Sequence, residues 1–228
     1  MTNKAILFDL DGTLVETAPD LMAAHNYVME KYGYKKKPLE DIRFLAGRGA
    51  AVMLIRSIDS QGRIKNENKI DEQTHKAMTN DFINYYADNI ANTSIINRGV
   101  IEFLDWCKSK KILLAVCTNK MEHLTVKLLK ELKLYDYFDF IAGANTFSYR
   151  KPDPQHLTSI LEILNVEIKN SIMVGDSETD ADAAKAAKIK FILVQGGYTE
   201  KQYDQIHHDY LIENFEEIKE ISKKILSI

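Results

Sequence analysis

The sequence predicts an α/β fold, a parallel sheet covered by helices, with an all-helical cap domain inserted after the first strand. Three observations predict it. From about residue 94 onward, short apolar runs alternate with helix-length amphipathic segments, the pattern of strand–helix–strand units. A further apolar run, Ala5 to Asp9, stands apart near the start of the chain. Between the two lies a block, residues 16 to 93, whose periodicity is helical throughout.

Taken in order, Ala5 to Asp9 leads into Asp-Leu-Asp-Gly-Thr, where Asp11-Gly12 signals a turn. It therefore reads as a strand carrying acids at its carboxyl end. The helical block comprises Asp20 to Tyr32, a shorter stretch near Leu39 to Phe44, Gly49 to Ser57 and His75 to Asn89, and nothing in it reads as a strand. The polar stretch Gln61 to Asn68 reads as an exposed connection between two of these helices. Beyond the block, Ile112 to Cys117, Phe140 to Ala142, Ser171 to Val174 and Phe191 to Val194 are short and apolar, as strands buried on both faces of a parallel sheet are. Val100 to Lys110, Met121 to Leu132, Gln155 to Leu164 and Thr179 to Ala187 supply the covering helices. The expected division is a Rossmann-like core of residues 1–15 and 94–228 and a helical cap of residues 16–93. No internal repeat or low-complexity segment interrupts it.

Composition narrows the class. The chain has 228 residues, 45% hydrophobic and 28% charged, as soluble globular proteins have. A formal charge of −3 gives no electrostatic reason to expect nucleic acid as a partner. The basic runs Lys35 to Lys37 and Lys108 to Lys111 are short and read as solvated helix ends. No stretch reaches the roughly 18 apolar residues a membrane helix needs. The first apolar run is broken by Asp9 and Asp11 with no cleavage site after it, so no signal peptide is expected. Cys107 and Cys117 lack metal-ligand spacing and fall in apolar runs, which suits two reduced, buried thiols in a cytoplasmic protein. The histidines (25, 75, 123, 156, 207 and 208) show no ligand spacing beyond the adjacent His207-His208, read as exposed loop.

Ligands of open parallel sheets bind beyond the carboxyl ends of the strands. After the first predicted strand come Asp9, Asp11 and Thr13; after the second, Thr118 and Asn119. Lys151 lies in a loop after the third, and Asp176 with Asp180 after the fourth. The set is chemically coherent: carboxylates for Mg²⁺, donors for a phosphate and a nucleophile to receive it. Each piece also has a plainer reading. Asp11-Gly12 can be only a turn, Thr118 or Asn119 only a helix N-cap, Lys151-Pro152 only an extended surface dipeptide, and Ser177 to Asp180 a capping box with Asp in place of Glu. The first motif resists that reading. Two acids flanking one apolar residue at a buried strand end raise each other's ionisation cost, and a cation or a reaction is needed to justify them.

In this order Phe8-Asp9-Leu10-Asp11-Gly12-Thr13-Leu14, Thr118-Asn119, Lys151-Pro152 and Gly175-Asp176-Ser177-Glu178-Thr179-Asp180 resemble the four motifs of the haloacid dehalogenase superfamily, over nearly the whole chain. Ala18-Pro19-Asp20, Gly47-Arg48-Gly49-Ala50 and Gly196-Gly197-Tyr198 further resemble its phosphoglycolate phosphatase group. The resemblance implies a Mg²⁺-dependent phosphatase working through an aspartyl-phosphate on Asp9. Asp11 is then the general acid and base, and the metal set is Asp9, Asp11, Asp176 and Asp180, the last either as a ligand or from behind. Asp180 orients Lys151 or a metal-bound water. Thr13, Thr118 and Asn119 hold phosphate, and Lys151 neutralises charge on the transferring group. Asp11 favours phosphoryl transfer, because the dehalogenating branch has no alkoxide to protonate and lacks this aspartate. Substrate choice falls to the cap, where Arg48 offers a guanidinium fork suited to a carboxylate such as that of phosphoglycolate; its plainer reading is an exposed helix-leading arginine. Other small phosphates (pyrophosphate, a nucleotide, a sugar phosphate), a phosphomutase on the same scaffold and an idle binding member are the alternatives. A small phosphorylated metabolite is the expected partner, and a monomer or homodimer the expected assembly.

Overall fold

The structure is a computed structural model that describes residues 3–59 and 70–228. The expected connection from Gln61 to Asn68 lies outside the described residues. In chain order, strand β1 (Ala5–Phe8) is followed by β2 (Val15–Glu16), which leads into the cap helices α1 (Ala18–Lys31), α2 (Ile42–Leu45), α3 (Ala50–Asp59) and α4 (Glu72–Asp88). The chain returns through β3 (Ile95–Ile96) to α5 (Val100–Ser109), β4 (Leu113–Cys117), α6 (Glu122–Glu131), β5 (Phe140–Ala142) and α7 (Gln155–Ile163). Then come β6 (Ser171–Gly175), α8 (Glu178–Ala187), β7 (Lys190–Val194), β8 (Tyr210–Ile212) and α9 (Ile218–Leu226).

Six strands form one sheet in the order β5-β4-β1-β6-β7-β8, every neighbouring pair parallel. Strand β1 sits in the middle, with Phe8 level with Val116 of β4 and Val174 of β6. Alternate residues point to opposite faces of a strand, and the core divides accordingly. Ile6, Phe8, Leu114, Val116, Ile172 and Val174 pack with Phe103 and Leu104 of α5, Leu128 of α6 and Ile218 of α9. Leu7, Ala115, Met173 and Phe191 pack with Leu157 and Ile160 of α7 and with the alanines of α8. Both faces are buried, so the strands read as unbroken apolar runs.

The cap helices bury their own apolar stripes, including Met29, Leu54, Ile58, Met78 and Phe82. Tyr27 of α1 stacks on Tyr85 of α4 with ring centroids 4.3 Å apart. Helix α1 starts with Pro19 in its first turn, where a missing N–H costs nothing. Helix α4 is capped by Asp71, whose carboxylate accepts the Thr74 amide at 2.8 Å.

The structure corrects the sequence reading in three places. Glu16 belongs to a strand, since β2 and β3 pair antiparallel as a two-residue ribbon at the chain's exit to the cap and its return. Such a ribbon is too short to show a period. Strand β8 and helix α9 close one edge of the core and had no counterpart in the predicted elements. The lysines at 35 to 37 follow α1 by several residues instead of ending it.

Candidate active site

Because all strands of the main sheet run the same way, their carboxyl ends gather β1, β4 and β6 at one edge. The Asp9 amide donates to the Val174 carbonyl at 2.9 Å, so the sheet ladder itself fixes this residue. Its carboxylate accepts the Leu10 amide at 2.7 Å and lies 3.0 Å from the Lys151 ammonium. The chain then turns sharply. The amides of Leu14 and Val15 return to the Leu10 carbonyl at 3.0 and 3.1 Å, and Gly12 takes φ +82°. Only glycine suits this position twice over: a Cβ there would stand 2.6 Å from Asp176 Oδ2. A Cβ at Gly197 would also collide with the Asp176 carboxylate.

Asp176 is thus enclosed from two sides by bare backbone. The Thr13 hydroxyl donates to its Oδ1 at 2.6 Å and the Tyr198 amide to its Oδ2 at 2.6 Å. Thr13, expected to hold phosphate, is fully buried and directed at Asp176. It orients that carboxylate here. Asn97 in turn supports the turn, donating to the Thr13 carbonyl at 2.7 Å.

Asp180 is engaged through both of its oxygens. Its Oδ2 accepts from the Ser177 amide and hydroxyl (3.1 and 2.7 Å) and from the Asp176 amide (3.2 Å), completing a capping box at the start of α8. Its Oδ1 accepts from Lys151 Nζ at 2.6 Å. Lys151 is 2% exposed, so the surface-dipeptide reading of Lys151-Pro152 does not hold. Its ammonium bridges the carboxylates of Asp9 and Asp180, and its amide donates to Nδ1 of buried His156 at 3.2 Å. Burial pulls the His156 pKa down to about 4, helped by the Lys151 charge.

Asp9, Asp176 and Asp180 each offer an oxygen within 4.8 Å of the others, and all three are buried. Two of them, Asp9 and Asp180, share the Lys151 ammonium, while Asp176 is held by the Thr13 hydroxyl and the Tyr198 amide. Burial, then the Asp180 charge, pushes Asp9 up to about 7 despite Lys151. Asp176 is raised well above the carboxylate range by burial and by the charges of Asp180 and Asp9. Burial opposes the charge on Lys151, but Asp180 and Asp9 raise its pKa overall. An all-oxygen, electron-rich and desolvated set of this kind suits a hard divalent cation.

Across the edge, Thr118 and Asn119 are buried at the end of β4. Neither caps a helix: α6 starts from Met121, with no side-chain cap. The Asn119 side-chain amide donates to the carbonyls of Lys151 (3.0 Å) and of Gly47 in the cap (3.2 Å), and its Oδ1 is buried without a partner among the described residues. Asp11 accepts on one oxygen from the Thr17 hydroxyl and from Lys120 Nζ, each at 2.7 Å. Tyr198 contacts the same segment beside Thr17. Its hydroxyl donates to Glu16 at 2.5 Å and accepts the Thr17 amide at 2.9 Å.

Over these residues lies a cavity of about 160 Å³, roofed by Arg48, Met53, Phe82, Ile83 and Tyr86 of the cap and floored by Asp9, Asp11, Thr118, Lys120 and Asp176. Arg48 is exposed at its edge and pairs with no acid among the described residues. Arg150, from the core, lines the same cavity. Sequence reasoning missed Lys120, Tyr86 and Arg150; only the Lys120 position, directly after Thr118-Asn119, carried any signal.

The molecule is thus a parallel α/β sheet with buried acids at its carboxyl edge, beneath a helical cap. Residues 6–194 match the family of haloacid dehalogenase-like hydrolases, and the chain belongs to that family. Within it, the chain is similar to phosphoglycolate phosphatases. It is 35% identical to that of Mesorhizobium japonicum, over 99% of this chain and 98% of the relative. It is 37% identical to that of Agrobacterium fabrum, over 92% of this chain and 88% of the relative. A crystal structure of a predicted phosphoglycolate phosphatase from Haemophilus somnus superposes with a TM-score of 0.90 at 27% identity, covering 97% of this chain and 99% of that one. The chain is accordingly an enzyme of the hydrolase class. None of its described helices is long and apolar enough to cross a membrane.

Proposed function

We propose that the protein is a Mg²⁺-dependent phosphatase that hydrolyses a small phosphomonoester, 2-phosphoglycolate, through a phosphorylated Asp9. The observation that carries this reading is the buried Asp9–Lys151–Asp180 array beside Asp176, at the floor of a small capped cavity. The similarity to relatives named phosphoglycolate phosphatase supports the choice of substrate.

Asp9 and Asp176 would hold the cation, with the Asp11 carbonyl, while Asp180, bonded to Lys151 and to the start of α8, orients Lys151 behind them. Charge on the phosphoryl oxygens is what such a cation neutralises. An Asp9 oxygen attacks phosphorus as the ester P–O bond breaks, and the departing alkoxide takes a proton from the Asp11 carboxyl. A water oxygen then bonds to phosphorus, its proton passes to Asp11, and Asp9 leaves as carboxylate. Lys151 and Thr118 stabilise the transferring group throughout. Arg48, at the cavity edge, receives the substrate carboxylate.

The test is phosphate release by the purified protein from small phosphomonoesters and pyrophosphate, with Mg²⁺ and with excess chelator. Release should depend on Mg²⁺, be fastest with phosphoglycolate, and fall by at least about 10⁴-fold in Asp9→Asn. An active Asp9→Asn enzyme removes the nucleophile, and preference for another ester moves the substrate. A requirement for a sugar bisphosphate with no free phosphate points to a mutase.

A further inference from the structure

Lys120 is the one site lysine that the proposed chemistry leaves without a task. It lies on the loop between β4 and α6, with its side chain only 5% exposed. Its ammonium donates to Asp11 Oδ1 at 2.7 Å and to the Tyr86 hydroxyl at 3.0 Å, and sits 4.5 Å from the centre of the Tyr86 ring. Tyr86 is fully buried in the last turns of α4, whose Phe82 and Ile83 roof the cavity. The same Asp11 oxygen accepts from Thr17, between β2 and α1. Both donors to Asp11 are therefore fixed by the base of the cap: Thr17 by its entry, and Lys120 by its closing helix.

A buried ammonium is a costly way to fill space. An apolar side chain of the same length would fill this one without the desolvation penalty. The cost is explained if the pairing does something for the acid it contacts. From this geometry, and resting on the phosphatase reading, we infer that Lys120 is a positioning residue. Held by Tyr86 of the cap, it aims the Asp11 carboxyl for its proton transfers. Removing the Tyr86 hydroxyl leaves the Lys120 ammonium with Asp11 as its one hydrogen-bond partner among the described residues.

The experiment compares two substrates on the full-length enzyme with Mg²⁺. An alkyl phosphomonoester needs its leaving oxygen protonated; para-nitrophenyl phosphate does not. Nitrophenolate release in a single turnover, with enzyme in excess, reads the phosphorylation of Asp9 alone. In Tyr86→Phe, kcat for the alkyl ester should fall about 10-fold with KM within about twofold, while the single-turnover nitrophenolate rate changes much less. Lys120→Met should widen the same split to about 100-fold, and Lys120→Arg should recover part of it. Equal losses on both substrates, a change confined to KM, or wild-type rates in Tyr86→Phe would overturn the positioning role with the phosphatase reading intact. A wild-type enzyme that releases phosphate from neither substrate would overturn the phosphatase reading, and the positioning role falls with it.

Discussion

Asp180 joins a fold requirement to a site requirement in one side chain, capping α8 with one oxygen and holding Lys151 with the other. The residues found from sequence share a circumstance: Asp9, Asp11, Thr118, Asp176 and Asp180 each follow closely on an apolar run, where a parallel sheet delivers its chain ends to one edge. Lys120 was marked only by its place directly after Thr118-Asn119, because a lysine in a polar loop looks the same whether it is solvated or buried. Thr13 was placed at the edge correctly, but its partner, Asp176, is 163 residues away and no spacing encodes it. Arg48 is where residue chemistry makes a prediction about substrate. It stands at the cavity edge with no acid paired to it among the described residues, so a substrate anion is its natural partner. Charge-assisted hydrogen bonds are worth about 1.5–3 kcal/mol. Arg48→Ala should therefore raise KM for phosphoglycolate roughly 10- to 100-fold and leave KM for an alkyl phosphate that lacks a carboxylate nearly unchanged. Steady-state kinetics on both substrates check it, and equal rises would exclude a carboxylate contact.

At the scale of elements, the strands and helices of the core could be read because burial on both sheet faces writes a continuous apolar signal. The two-residue ribbon β2–β3 could not, and yet it marks where the chain enters and leaves the cap. Asp20, in the first turn of α1, pins that junction. It accepts from the Thr93 hydroxyl (2.5 Å), the Ser94 amide (2.8 Å) and the Ser94 hydroxyl (2.6 Å), just before β3. Burial alone would raise its pKa, but the bonds from Ser94 and Thr93 outweigh it and hold the carboxyl below its ordinary value. A carboxyl depressed in the folded state adds stability above its unfolded pKa of about 3.9 and loses it as pH falls through the folded value. Asp20→Asn should cost about 2 kcal/mol at pH 7, and the difference should shrink toward pH 3. Urea midpoints of both proteins at the two pH values measure it. A difference independent of pH would mean that the charge is not what ties α1 to the returning strand.

For the molecule as a whole, the acid cluster sets how stability responds to pH and to metal. Asp9 is raised to about 7 and Asp176 well above its usual range, both chiefly by burial. Carboxyls raised in the folded state bind protons that the unfolded chain releases, so their contribution is fully present below about pH 4. It is lost as pH rises through the folded values. Metal-free protein should thus lose stability between about pH 4 and pH 7 or above, an unusual direction for carboxylates and a consequence of burying three of them within reach of one another. A divalent cation reverses the sign, because it binds the ionised form and competes with those protons. At 100 times its dissociation constant it adds about 2.7 kcal/mol, which for a chain of this length moves Tm by roughly 5–10 °C. Thermal melts with Mg²⁺ and with chelator should therefore diverge more at pH 8 than at pH 5, and Asp176→Asn should remove most of the divergence. Melts that coincide at pH 8 would mean that the cluster is held together by Lys151 and hydrogen bonds alone, and the metal would leave the proposed mechanism.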